Sequence, residues 1–286
     1  MNTFKTFLLM AGLTILMVFI GELVGGKSGL IMGLGFAVVS NVFSYYFSDK
    51  IVLALYRAKP ADEARFGDLH QMVDELAAKA GIPKPRLYII PGPMANAFAT
   101  GRDPQHAVVA ATEGILQVLS PKELRGVLAH EISHVVHRDI LISTIAATMA
   151  GAIYMVARIA QWSMWFGGGH RDDERGGNPI ALLAVAIIAP LAAMLIQMAV
   201  SRNREYAADQ GGAHLSDDPL ALAEALKKIH NASRLTHWQP NPTTAHLFIA
   251  NPLKAESILT LFSTHPPLEK RIARLQELAA AARSTR

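Results

Sequence analysis

The chain of 286 residues is 51% hydrophobic, with a mean hydropathy of +0.25, a net charge of +4 and a pI near 9.3. Its length suits one or two domains, and its hydropathy is too high for an ordinary water-soluble enzyme, so the apolar excess points to a membrane. The basic residues are dispersed with no run of interleaved aromatics, which excludes a nucleic-acid surface of the usual kind; the lack of cysteine excludes disulfides and thiolate metal sites.

Residues 6–21 are uncharged over 16 positions and residues 28–48 over 21, with Glu22 and Lys27 between them. That pattern predicts a tight hairpin of two spans rather than a cleaved leader, because no convincing small-residue cleavage site follows the first run. Residues 61–80 then read as an amphipathic helix with Phe66, Leu69, Met72, Val73 and Leu76 on one side, ended by Gly81 and barred from continuing by Pro83 and Pro85. Three short extended pieces follow at residues 86–90, 96–100 and 106–111, enough for a small sheet. An edge strand at residues 96–100 (NAFAT) can hold an extended peptide by main-chain pairing, or be an ordinary strand; spacing does not choose.

Ser120, Pro121 and Glu123 form a capping box with a proline start, and Leu124, Val127, Leu128, Ile132, Val135 and Val136 continue at helical spacing. Within that helix lies His130-Glu131-Ile132-Ser133-His134, an HExxH. Two histidines four residues apart fall about 40° apart around a helix and one turn apart along it, so both imidazoles reach one zinc ion, and Glu131 stands beside the metal as a base for water. Catalytic zinc takes three protein ligands and keeps one position open, so a ligand is missing. His137 is about 10 Å along the axis from His130, too far to share a tetrahedral ion. Glu205 in SRNREYAAD is the better choice, with Asp209 one turn later able to orient a ligand histidine.

Between the motif and Glu205 lie a second pair of uncharged runs, residues 140–157 (18) and 176–201 (26), the latter with Pro190, separated by the polar, glycine-rich stretch 167–179. They predict two further spans and an exposed turn. Lys50, Arg57, Lys59, Arg65, Arg138, Arg202 and Arg204 all flank spans on the side carrying the motif, which predicts that the catalytic part and both termini are cytoplasmic. After span four a helix over residues 201–210 is expected to end at Gly211-Gly212, a second to run over residues 220–232 behind Asp217-Asp218-Pro219, and a last one over residues 268–282. His237 and His246 have no ligand spacing. His265 and Arg271 fit either convergence on an anionic intermediate or structural roles.

The combination of two membrane hairpins, HEISH before the second, SRNREYAAD after it and STHPPLEKRI near the end resembles the HtpX-type membrane zinc metalloproteases, a family of bacterial heat-shock proteases related to the CaaX prenyl endopeptidase. The resemblance covers essentially the whole chain. It implies His130, His134 and Glu205 as ligands of one zinc per chain, Glu131 as general base, and Asp209 and Asp139 as aspartates behind the ligands. It also implies Asn96, Ala97, Phe98 and Ala99 as the substrate-binding edge strand, and His265 and Arg271 as a polar pair near the reaction centre. The expected fold is mainly α with a small β-sheet: a transmembrane hairpin (1–48), a first half of a cytoplasmic zincin-like domain (49–139), a second hairpin (140–201) and a second half (202–286). The expected location is the bacterial inner membrane, with membrane proteins as substrates and quality control as the role. Two other readings compete with this one. An intramembrane site-2-type protease is disfavoured because Lys122, Glu123, Arg125, Arg138 and Asp139 bracket the motif, and a non-proteolytic chaperone or structural zinc protein because Glu131 is intact.

Overall fold

The computed structural model describes residues 2–145, 202–235, 249 and 266–284. Of the expected third span only residues 140–145 are described; its remainder, the 167–179 stretch, the expected fourth span with Pro190, and His237, His246 and His265 lie outside the described residues. The remainder is mostly helical with one small mixed sheet.

Helix α1 (Asn2–Leu55) is two arms joined at Gly25 and Gly26, whose backbone leaves the helical region; Gly26 has φ +57°, which a side chain rarely adopts. The arms return antiparallel. Asn41 Nδ2 donates to Thr14 Oγ1 (2.8 Å) and to the Met10 carbonyl (3.3 Å), and Gly21 lies so close to the Gly29 backbone that a Cβ there would meet its carbonyl oxygen. The two arms thus form a helical hairpin. Gly25–Leu55 is long and apolar enough to cross a membrane, with only 11% of its most apolar window buried, and Phe4, Phe7, Ile15, Phe19, Ile31, Met32, Val39 and Phe43 stand exposed. A water-soluble protein does not tolerate so continuous an apolar face, whereas a bilayer covers it. At 1.5 Å per residue this arm is about 46 Å long, well beyond a ~30 Å hydrocarbon core.

Its end docks on the sheet. Strands β1 (Lys59–Pro60), β2 (Arg86–Ile90), β3 (Ala97–Thr100) and β4 (Val108–Thr112) lie in the order β1-β2-β4-β3, with β2 and β4 parallel and the outer pairs antiparallel. Alternation divides the sheet cleanly. Tyr88, Ile90, Phe98, Val108 and Ala110 face Val52 and Leu53 of α1 and Tyr56 just after it, while Leu87, Ile89, Ala97, Ala99, Val109 and Ala111 face the main core. Asp49 and Arg86 (3.0 Å) and the Arg102 guanidinium over the Tyr46 ring reinforce the α1 contact.

The main core lies between the sheet and the helices α2 (Glu63–Ala80), α3 (Glu113–Val118), α4 (Pro121–Val136), α5 (Arg202–Ser216), α6 (Pro219–Leu235) and α7 (Leu268–Ser284). The capping box of α4 forms as expected, Glu123 accepting the Ser120 N–H at 2.8 Å, and Gly81 ends α2 in the left-handed conformation. One expectation is overturned. Gly211-Gly212 does not end its helix: α5 runs through to Ser216, because both glycines lie against α4, where a Cβ on Gly212 would come within 2.8 Å of the His130 nitrogen. Tertiary packing outweighs the poor intrinsic helix propensity of glycine here.

Candidate metal centre

The motif helix and α5 cross at backbone distance, and that crossing assembles the site. His130 Nε2 lies 3.1 Å from His134 Nε2 and 3.9 Å from Glu205 Oε2, and His134 Nε2 lies 3.6 Å from Glu205 Oε1. The three residues offer ligand atoms all within 4.8 Å of one another. Metal–ligand bonds of 2.0–2.1 Å in a tetrahedron place donor atoms about 3.3 Å apart, so the observed separations fit one divalent metal ion. His137 stands apart as the C-cap of α4, its Nδ1 3.3 Å from Ser133 Oγ.

Each histidine has its own aspartate. His134 Nδ1 lies 3.1 Å from both oxygens of Asp139, which is brought back by a turn in which Arg138 takes φ +55°. His130 Nδ1 lies 3.0 Å from Asp209 Oδ1, a close but off-axis contact: no described partner meets hydrogen-bond angles at that atom. In both cases a carboxylate addresses Nδ1 and leaves Nε2 facing Glu205, the arrangement that fixes a metal-binding tautomer.

Glu131 is buried beside this group, and its Oε2 accepts the Ala99 N–H at 2.9 Å. The ladder explains the direction of that amide: Thr112 donates to the Asn96 carbonyl, so the neighbouring amides of Ala97 and Ala99 turn away from β4. The side chains of Ala97 and Ala99 are small and lie on the core face, which lets α4 approach the strand closely. The structure thus puts β3 at the edge of the sheet, as expected, and all four of its residues are buried. Asn96 is also buried; its Oδ1 accepts the Ile249 N–H at 3.1 Å.

Arg271 is buried against Asp209 and the Ile249 carbonyl. Its Nε and Nη2 donate to the two oxygens of Asp209 at 2.8 and 2.7 Å, and its Nη1 donates to the Ile249 carbonyl at 2.6 Å and lies 3.7 Å from Glu205. The Asp209–Arg271 pair, the Ala99 amide and the Ile249 peptide escape sequence reasoning. The signal for the first is an arginine on the stripe Arg271, Leu275, Ala279 that α7 buries.

Burial and the neighbouring charges shift the titration of these groups. Burial pushes Glu131 up to about 8, the neighbouring Glu205 adding to the effect against the charge of His134. Burial opposes a charged His134, but Asp139, then Glu205 and Glu131, outweigh it and raise the imidazole to about 10. Burial likewise works against an ionised Asp209, and the Arg271 guanidinium overrides it, holding the carboxyl down to about 2. His130 is lowered, chiefly by burial.

An HExxH helix, a glutamate on a neighbouring helix and an edge strand against the motif define a metallopeptidase of the kind that uses a glutamate as third ligand. Residues 63–279 match peptidase family M48, and the chain belongs to that family. It is 52% identical to a Protease HtpX homolog of Syntrophobacter fumaroxidans over 280 residues, covering 97% of this chain and 99% of that one. It is 55% identical to a Protease HtpX homolog of Persephonella marina over 285 residues, 98% of each, and 54% identical to one of Pyrococcus furiosus over 276 residues, 96% of this chain and 95% of that one. The crystal structure of S. mikatae Ste24p shares the fold with a TM-score of 0.51 at 19% identity, covering 84% of this chain and 57% of Ste24p. The chain is thus a membrane metalloprotease, as the resemblance implied.

Proposed function

We propose that the chain is a zinc endopeptidase of a bacterial inner membrane, crossing the bilayer four times with its two catalytic halves and both termini in the cytoplasm, and that it cleaves misfolded or damaged membrane proteins. The observation that carries the reading is the convergence of His130, His134 and Glu205 with the Glu131 carboxyl beside them, in a domain docked on the end of a membrane-length helix. His130, His134 and Glu205 would hold one zinc. Bound there, zinc supplies Lewis-acid polarisation of the scissile carbonyl and of a water. Glu131 takes the proton of the attacking water and returns it to the leaving amine. Asp209 and Asp139 keep the two imidazoles in the metal-binding tautomer. Asn96, Ala97, Phe98 and Ala99 run beside the base and align an extended peptide with it. His265 is the further polar group that the family resemblance implies for the reaction.

The span count follows from chain order: His130 and His134 precede the second pair of apolar runs and Glu205 follows it, so an even number of crossings is needed to complete one site. Asp173→Cys and Arg283→Cys, made singly in this cysteine-free chain, are expected to label from opposite sides of sealed vesicles. Labelling from the same side would refute the topology. Metal analysis of the purified chain is expected to find about one zinc per chain; another resident metal would refute the zinc assignment.

A further inference from the structure

Five groups form a continuous hydrogen-bonded or ion-paired line from the site to the edge strand: His130, Asp209, Arg271, the peptide of Ile249 and Asn96. Arg271 is its centre. The guanidinium spends Nε and Nη2 on the two oxygens of Asp209 in a forked, two-point contact and Nη1 on the Ile249 carbonyl, at 2% exposure. Such a fork fixes the plane and position of a carboxylate, which a single charge does not. Asp209 needs this, because it is buried in a cluster that also holds Glu131, Glu205 and Asp139, and without the fork nothing fixes the plane of its carboxylate against those like charges. A carboxylate turned away would stop addressing His130 Nδ1.

We propose that Arg271 is a positioning residue of the metal centre: by fixing Asp209 it sets the imidazole of His130 with Nε2 toward His134 and Glu205, so that α7 is required for metal binding and not for contact with the reacting peptide. The inference rests on the metalloprotease reading. It differs from the role of an arginine stabilising an anionic intermediate, which needs free donors aimed into the cavity; here the fork faces Asp209.

The test compares the full chain in detergent with Arg271→Met, Arg271→Lys, Asp209→Asn and the Asp209→Asn/Arg271→Met pair, reading zinc affinity by chelator competition and melting of the metal-free protein. Arg271→Met is expected to weaken zinc binding about 10- to 100-fold, the usual scale for a residue behind a ligand, with Arg271→Lys recovering only part. In the Asp209→Asn background the Met substitution is expected to cost less than about threefold more, because Arg271 acts through Asp209. Arg274→Met removes the guanidinium stacked 3.6 Å from the Tyr206 ring and loosens the same helix without touching Asp209, so it is expected to leave zinc affinity near native. Should Arg271→Met fail to fold for want of a partner for Asp209, the pair measured against Asp209→Asn decides, since the pair removes both charges together and in Asp209→Asn the guanidinium still has Glu205 3.7 Å away. Native zinc affinity in Arg271→Met with a collapsed kcat at saturating zinc would overturn the proposal in favour of contact with the intermediate, as would additive losses in the pair. A native chain that binds no zinc would defeat the metalloprotease reading along with it; an unaffected Arg271→Met defeats this inference alone.

Discussion

Gly212→Ala tests whether the crossing of α4 and α5 sets the metal geometry. A Cβ at Gly212 would lie 2.8 Å from the His130 nitrogen, 2.9 Å from its Cα and 3.2 Å from its Cβ, and two of these are backbone atoms that no rotamer change can move. Ordinary contact begins near 3.4 Å, so the helices must part by about 0.6 Å at the His130 backbone, two turns along α5 from Glu205, which shifts the two ligands relative to each other. Metal–ligand bonds tolerate about 0.2 Å. Overpacking of this kind costs about 1–3 kcal/mol, against which alanine returns at most about 1 kcal/mol of helix propensity, so a lower melting temperature and a roughly 10- to 100-fold loss of zinc affinity are expected together. Gly67 is the internal control: it lies in α2 with nothing within 4 Å of an added Cβ, so Gly67→Ala is expected to raise stability by about 0.5–1 kcal/mol with zinc affinity unchanged. Both variants are read by melting of the metal-free protein and by chelator competition. A Gly212→Ala protein that melts at or above native and binds zinc like native would refute the close-crossing argument.

Two further outcomes follow. Glu205→Ala is expected to lose zinc on dialysis while His137→Ala keeps native stoichiometry, since among the described residues it is Glu205, and not His137, that offers an atom within 4.8 Å of both imidazole donors; the reverse pattern in metal analysis would show the ligand assignment to be wrong. Zinc affinity is also expected to rise with pH. His134 is raised to about 10 without metal and therefore carries a proton at neutral pH that a metal must expel, so log Kd is expected to fall by at least about one per pH unit between about pH 6 and 8, with proton release visible by calorimetry in buffers of different ionisation enthalpy. An affinity flat across that range would contradict the protonated cluster.

What was legible in the sequence was what local rules govern. The capping box of α4, the helix over residues 63–80 with its glycine stop, the three longer strands and the HExxH geometry depend on residues within a turn or two of one another. Glu205 was reachable by a coordination argument, since two histidines and one water leave a position to fill. Gly211-Gly212 misled because glycine usually stops a helix, and only the packing of α5 on α4 shows why it does not. The pairing of Arg271 with Asp209 crosses 62 residues, and the grip of the Ala99 amide on Glu131 involves a backbone group that no side-chain pattern encodes. Strand β1 is two residues long and ends in Pro60, and α3 spans six residues, both too short for a periodic signal.

The most direct test of the account places the native chain and Glu131→Gln side by side in detergent, each loaded with zinc to the same stoichiometry, on a misfolded membrane protein as substrate. Glu131 stands beside the candidate ligands rather than among them, so the Gln variant is expected to keep its metal and to cleave at least about 10²-fold more slowly. Cleavage by the zinc-loaded Gln variant at near-native rate would contradict the account.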